Sequence, residues 1–171
     1  KPHGGPAPSG VGSRWDGAVA SQVPETLKNQ LGIAMAKRTY KAARMLLSSP
    51  RWQRVYNAGA RPQRLLWAST GTKDPQASDI LYINALAAPF TVNTMPEGTL
   101  KALSQYSQIA NPMAADGGDC EEMLAKFVEA GIDLDALAAK LQVEGAKSFV
   151  KSWNELMTVL TSKSNALEMA G

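Results

Sequence analysis

The chain is 171 residues long, 44% hydrophobic and 19% charged, with a formal net charge of +3. It is long enough to bury one substantial core and too balanced in composition for a disordered or fibrous chain. It has no apolar run of about 18 residues, so no membrane span is expected, and it opens with no secretory-signal pattern.

Cys120 is the only cysteine, which excludes an internal disulfide, and no N-x-Ser/Thr sequon occurs. Both fit a cytoplasmic protein. The sequence opens on Lys1 and not on methionine, which points to a fragment, a processed product or a trimmed chain. Charge is unevenly spread: residues 1–73 carry 12 Lys and Arg against 2 Asp and Glu, whereas residues 74–171 carry 6 against 13. A basic half attracts polyanions. Here, however, Lys37, Lys41 and Arg44 recur at helical spacing beside apolar residues, as on a solvated helix face. No helix-turn-helix, RNP or zinc-finger pattern accompanies them. Neither nucleic acid nor a membrane is an expected partner.

Residues 1–12, KPHGGPAPSGVG, are dominated by glycine and proline and have no period, so they read as an irregular leader. Residues 9–13 are the candidate for a first strand. Residues 25–47 read as one long helix, with Leu27, Leu31, Ala34, Met35, Ala42, Met45 and Leu46 at steps of three and four, Pro24 in the first turn and Pro50 at the end. Residues 50–59 read as a short helix closed by Gly59. RLLWAS (64–69) is a continuous apolar run, the mark of a strand buried on both faces. Residues 78–87 read as a helix capped by Ser78, and FTVNTM (90–95) as a second strand, rich in β-branched residues. Pro96 opens a helix to about Tyr106. A further helix follows Asp119, its expected N-cap, and stops at Gly131. DLDALAAKLQVEG and AKSFVKSWNELMTVLTSKSNAL form a helical C-terminus. Helices alternating with strands indicate an α/β class built on two or three parallel strands. A complete α/β domain needs at least four or five, so the remaining strands come from elsewhere or the chain is a piece of a larger barrel.

In parallel α/β folds, ligands bind beyond the C-terminal ends of the strands. Ser69, Thr70, Gly71, Thr72 and Lys73 occupy that position: a glycine that permits a turn, three hydroxyls and a full positive charge. Such a set suits a phosphate monoester, although the order is not a Walker A loop and an ordinary polar loop has the same composition. Arg14, in SRWD, has the bidentate geometry for an oxyanion or pairs with Asp16. Asn93 and Thr94 point to the same mouth or cap the next helix. One histidine and one cysteine, far apart, make neither a metal cluster nor a nucleophile–base pair. His3 has no expected role and Cys120 reads as a structural thiol. Trp52, Trp67 and Trp153 read as packing residues. Asp116, Asp119, Glu121 and Glu122 read as a capping cluster.

These residues carry a resemblance. RPQRLLWASTGTKDPQASDILYINALAAPFTVNTMP resembles the strand-7 to strand-8 region of transaldolase, SRWD resembles the end of its strand 6, and AGIDLDALAAKLQVEGAKSFVKSWNELMTVL is similar to its C-terminal helices. The likeness runs over residues 13–171. It implies a partial (β/α)8 barrel and an enzyme of the pentose phosphate pathway. That enzyme transfers a dihydroxyacetone unit from sedoheptulose 7-phosphate to glyceraldehyde 3-phosphate through a Schiff base on a strand-4 lysine. Two carboxylates, from strands 1 and 3, move the protons, and no metal or organic cofactor is implied. By position, the resemblance assigns the substrate phosphate to Arg14, Ser69 and Lys73, and places Ser9 at a strand-6 serine near the substrate. It supplies no counterpart of strands 1 to 5, so no catalytic residue is assigned within the chain. Gly10 and Gly12 weaken a sixth strand, which marks residues 1–12 as a junctional leader and Ser9 as a chance match. The expectations are sugar phosphates as ligands, the remainder of a barrel as the partner needed for activity, and no turnover by the 171 residues alone. The alternatives are a non-catalytic sugar-phosphate-binding or interaction module, and part of a fusion of transaldolase with glucose-6-phosphate isomerase.

Overall fold

A computed structural model describes residues 11–68, 70–106 and 111–168, with side chains from Arg14 onward. They fall into two compact units that divide after Ile132. The first contains α1 (Val11–Val19), a 3₁₀ turn (Glu25–Leu27), α2 (Leu31–Ser48), α3 (Pro50–Asn57) and β1 (Leu65–Trp67), followed by α4 (Leu81–Ala85), β2 (Thr91–Asn93), α5 (Glu97–Leu103) and α6 (Cys120–Glu129). The second is a 35-residue helix, α7 (Leu134–Glu168).

The two strands pair in parallel, Leu65 opposite Thr91, Leu66 opposite Val92 and Trp67 opposite Asn93. Alternation along β1 sends Trp67 into the core and leaves Leu66 53% exposed, because successive strand residues face opposite sides. The core side is filled by Ile33, Ala36 and Tyr40 of α2, Tyr82 and Leu86 around α4, and Met113. Tyr40 extends through this layer and donates its hydroxyl to Pro89 O at 3.2 Å. Where α6 packs on α2, Cys120, Leu124 and Phe127 are almost wholly buried. Each such side chain contributes about 1.5–3 kcal/mol by leaving water.

Two parallel strands stand among the described residues, and the third expected near 9–13 is not one of them. Residues 11–13 open α1 instead, while residues 9 and 10 lie outside the described residues. The glycines weaken a strand, and Trp15, Ala18 and Val19 recur at three- and four-residue steps, which suits a helix packed on α2. The leader expected over 1–12 therefore gives way to helix at Val11.

The helix expected over 25–47 begins at Leu31. A 3₁₀ turn precedes it, and Asn29 between them has φ 59°, a left-handed conformation that asparagine tolerates better than most residues and that a helix excludes. α3 matches its sequence signals: Ser49 Oγ accepts from Trp52 N at 3.2 Å with Pro50 in the first turn, and Gly59 closes it at φ 99°. Asp119 precedes α6 without capping it through its side chain. Its carboxylate instead binds Lys37 Nζ at 2.6 Å, and the adjoining Glu121 binds Arg38 at 2.6 Å. These two acids clamp α6 to α2, whereas Asp116 accepts from Gly118 N at 2.9 Å and Glu122 pairs with Lys126 within α6 at 3.0 Å, so the expected capping cluster is interhelical at Asp119 and Glu121. Gly117 packs beneath the clamp at φ 83°, where an added Cβ would lie 2.9 Å from Cys120 Sγ and 3.3 Å from Lys37 O. Trp52 is half-buried and Trp67 buried, whereas Trp153, expected to pack, is 62% exposed on α7. No helix among the described residues is long and apolar enough to cross a membrane.

Candidate functional site

The C-terminal ends of β1 and β2 are tied together by side chains that the sequence reading offered to a ligand. Thr70, buried, donates its hydroxyl toward Asn93 Oδ1 (2.7 Å) and Thr94 O (3.1 Å). Thr94 N returns a bond to Trp67 O at 2.9 Å. Gly71 lies against α5's entry, where an added Cβ would meet Pro96 Cγ at 3.2 Å and Thr99 Oγ1 at 3.4 Å. Thr72 donates to Ser78 O at 2.8 Å. The hydroxyls of Thr70 and Thr72 are thus committed to the protein, and they hold the loop in place instead of reaching outward. Asn93 and Thr94 serve the same staple.

Lys73 is exposed and lies at the lip of a cavity of about 360 Å³, whose other polar lining includes Asp16, Lys28, Asn29, Asp74 and Tyr82. Asp74 is held in place by Asn29, which donates Nδ2 to Oδ2 at 2.6 Å, and by Gln76 N, which donates to Oδ1 at 2.9 Å. These bonds hold the Asp74 carboxyl below its ordinary value, the asparagine bond most of all. Lys28 is paired with Glu25 at 2.6 Å, and that hydrogen bond raises its pKa.

Asp16 forms the floor. It is 6% exposed. Its Oδ1 accepts from Gly32 N at 3.2 Å and its Oδ2 from the Tyr82 hydroxyl at 2.7 Å. The first bond caps α2 from a distance, since Gln30 at the helix entry has no side-chain capping bond of its own. A carboxylate there satisfies an otherwise orphaned N–H and meets the positive end of the helix dipole. Burial nevertheless outweighs the hydrogen bonds and raises the Asp16 pKa. Burial, together with the Asp16 charge, raises that of the Tyr82 phenol. The pair locks α1 onto α2 and α4.

Of the predicted site residues, Lys73 lines this cavity. Arg14 is half-buried on α1, two residues before Asp16, within a helix and not at the end of a strand. Ser9 and Ser69 lie outside the described residues. The sequence reading missed Lys28, Asn29 and Tyr82, which come from other segments and carry no local signature. Among the described residues, no three His, Cys, Asp or Glu side chains gather closely enough to hold a metal ion. Cys120 is buried, which raises its pKa, so it remains a neutral packing thiol. What the cavity offers is the exposed Lys73 ammonium, the Lys28 ammonium held by Glu25, and a buried carboxylate bonded to the entry of α2.

Comparison with known proteins gives a matching family model and curated relatives, among them three transaldolases. The family model for transaldolase/fructose-6-phosphate aldolase matches residues 12–160. A transaldolase from Parafrankia sp. (strain EAN1pec) is 40% identical over 156 residues, which is 89% of this chain and 42% of that protein. Another from Thermobifida fusca is 40% identical over 140 residues, 81% of this chain and 38% of its own length. A third, from Neisseria meningitidis serogroup C, is 36% identical over 148 residues, with 86% and 42% covered. The chain therefore spans about two fifths of the length of these relatives.

Proposed function

The chain belongs to the transaldolase/fructose-6-phosphate aldolase family, and from that premise we propose that it carries the phosphate-binding end of a transaldolase site. The observation supporting this most directly is that the family match runs through the β1–α4 loop, where Lys73 stands at the mouth of a polar cavity. In this reading the reaction is transfer of a dihydroxyacetone unit from sedoheptulose 7-phosphate to glyceraldehyde 3-phosphate. The three-carbon unit is held meanwhile as a Schiff base on a lysine.

The chain's own residues have definite tasks in this scheme. Lys73 supplies a point charge to the phosphate dianion, Arg14 a planar two-pronged donor, and Ser69 a hydroxyl. Thr70, Asn93 and Thr94 fix the loop that bears Ser69 and Lys73. Asp16 and Tyr82 fix the helix that bears Arg14, acting as positioning residues. Binding at the phosphate, remote from the reacting carbons, orients the sugar for the amine.

The family's Schiff-base lysine and its two carboxylates have no counterpart in these 171 residues, and Lys73 belongs to the phosphate loop. The chain alone is therefore proposed to bind sugar phosphates without turning them over, with the remainder of a barrel completing the site against the open sheet face at Leu66. A coupled assay with sedoheptulose 7-phosphate and glyceraldehyde 3-phosphate tests this, together with borohydride trapping on fructose 6-phosphate and mass spectrometry. The expected result is no turnover and no added mass. Turnover by the pure chain, or a trapped adduct on any of its lysines, overturns the assignment.

A further inference from the structure

The fold splits the basic charge of the first half in two. No acid occurs between Glu25 and Asp74. Lys28, Lys37, Arg38 and Lys41 find acids at Glu25, Asp119 and Glu121. Arg44, Arg51, Arg54, Arg61 and Arg64 are left, and among the described residues none of these five makes an ion pair. Residues 42–72 hold these five arginines and no lysine. α7 has no surplus acid to offer them, since residues 134–168 carry four acids and four lysines.

Topology brings the five to one end of the sheet. The strands run parallel with Leu65 opposite Thr91, so Arg64 and Phe90 precede them side by side. The Arg44 guanidinium lies over the Phe90 ring, 5.3 Å from its centroid. Arg51 and Arg54 belong to α3, which has no buried residue and ends at Asn57, shortly before Arg61. Phe90 is 68% exposed at φ 62°, a left-handed conformation that a bulky residue rarely takes. Tyr56 is also exposed, its ring tilted against Trp52 at 6.4 Å. Lys73 follows the opposite end of β1, so this surface is separate from the polar cavity.

We propose that this end of the sheet binds single-stranded nucleic acid. Guanidinium groups grip phosphates with two parallel bonds and also stack on flat rings. Exposed aromatic rings among them give successive bases a platform. Whatever covers the surface must bring negative charge, because arginines buried without a partner are costly. An acidic lipid surface matches less well: it takes a broad apolar helix face, and α3 has eight residues with one aliphatic side chain, Val55.

Fluorescence anisotropy of a labelled oligouridylate of about 12 nucleotides, titrated with the full 171-residue chain, tests the proposal. Saturable binding is expected at about 50 mM salt, falling with a log–log salt slope of about −3, as four or five phosphate contacts on a single strand give. Arg54→Glu combined with Arg61→Glu should weaken it at least tenfold, and Tyr56→Ala about tenfold. Helical circular dichroism should be unchanged in both, since all three positions are exposed. Polyphosphate should compete, with an affinity that Tyr56→Ala leaves unaltered. Fructose 6-phosphate in excess should not compete. Absence of saturable binding overturns the proposal, as does binding that the arginine pair leaves intact. Displacement by fructose 6-phosphate overturns it too, by placing the strand at the Lys73 cavity. A loss on the arginine pair with none on Tyr56→Ala overturns base stacking and assigns the surface to bare polyanions. Capture of the chain by vesicles containing phosphatidylserine, without oligonucleotide binding, overturns the partner.

Discussion

Replacing Asp16 tests how the candidate site is held together. The carboxylate is 6% exposed and accepts from Gly32 N at 3.2 Å and the Tyr82 hydroxyl at 2.7 Å. A hydrogen bond to a charged group contributes about 1.5–3 kcal/mol, and a buried donor left without a partner costs about 1–3 kcal/mol. The helix N-terminus adds about 0.3–1 kcal/mol for a nearby negative charge. Burial works against these gains, as the raised Asp16 pKa indicates, so the bonds cannot be counted in full. Asp16→Ala is expected to destabilise the chain by about 3 kcal/mol. Asp16→Asn, which keeps an acceptor for one bond, should cost about 1 kcal/mol. With a urea slope of about 2 kcal/mol/M, the alanine variant's midpoint falls by about 1.5 M. Tyr82→Phe should cost about 1 kcal/mol in the native background and almost nothing on Asp16→Ala, because the hydroxyl it removes is by then unpaired. A midpoint shift below about 0.3 M for Asp16→Ala, or a Tyr82→Phe loss that is the same in both backgrounds, would refute the reasoning.

The remaining predictions concern pH, glycine and the strand ends. Asp16 has a raised folded pKa, so its ionisation penalty is absent at low pH and grows as pH rises through that value; urea midpoints of Asp16→Asn should fall less with pH above 4 than those of the native chain. Asp119 and Glu121 have folded pKa values lowered chiefly by their hydrogen bonds to Lys37 and Arg38. The stability they contribute is present above their unfolded values and lost as pH falls through the lowered ones. Acid melts should therefore shift when both are made amides, and the effect should shrink in high salt. Gly117→Ala should cost about 2–4 kcal/mol, from overpacking and a left-handed backbone. Gly98→Ala, inside α5 with nothing within 4 Å of an added Cβ, should gain up to about 1 kcal/mol; thermal melts compare the two. Thr70→Val should cost about 1–2 kcal/mol in urea by breaking the staple to Asn93 and Thr94.

What was legible in the sequence was what is local. The apolar run at 64–69 and the β-branched run at 90–95 announce two parallel strands, although the burial on both faces expected of the first fails at Leu66, which is 53% exposed, and Ser49, Pro50 and Gly59 mark the two ends of α3. What was not legible depends on distant partners. Asp119 looks like a cap because it precedes a helix, yet a lysine 82 residues away takes its carboxylate. Asp16 looks like a partner for Arg14, yet its oxygens are used by residues 16 and 66 positions along the chain. Thr70 and Thr72 have the composition of a ligand loop, and only the fold shows their hydroxyls turned to the protein. The strand expected near 9–13 contains Gly10 and Gly12, which weaken it, and the helical spacing after Arg14 prevails from Val11.

Titration of the isotopically labelled chain with fructose 6-phosphate, followed by amide NMR, tests the central claim most directly. The account predicts weak, saturable shifts centred on residues 70–74 and on the start of α1. Inorganic phosphate should compete them away, and Lys73→Ala should reduce them at least tenfold without altering the urea midpoint. Shifts centred elsewhere, or binding indifferent to Lys73→Ala, would contradict it.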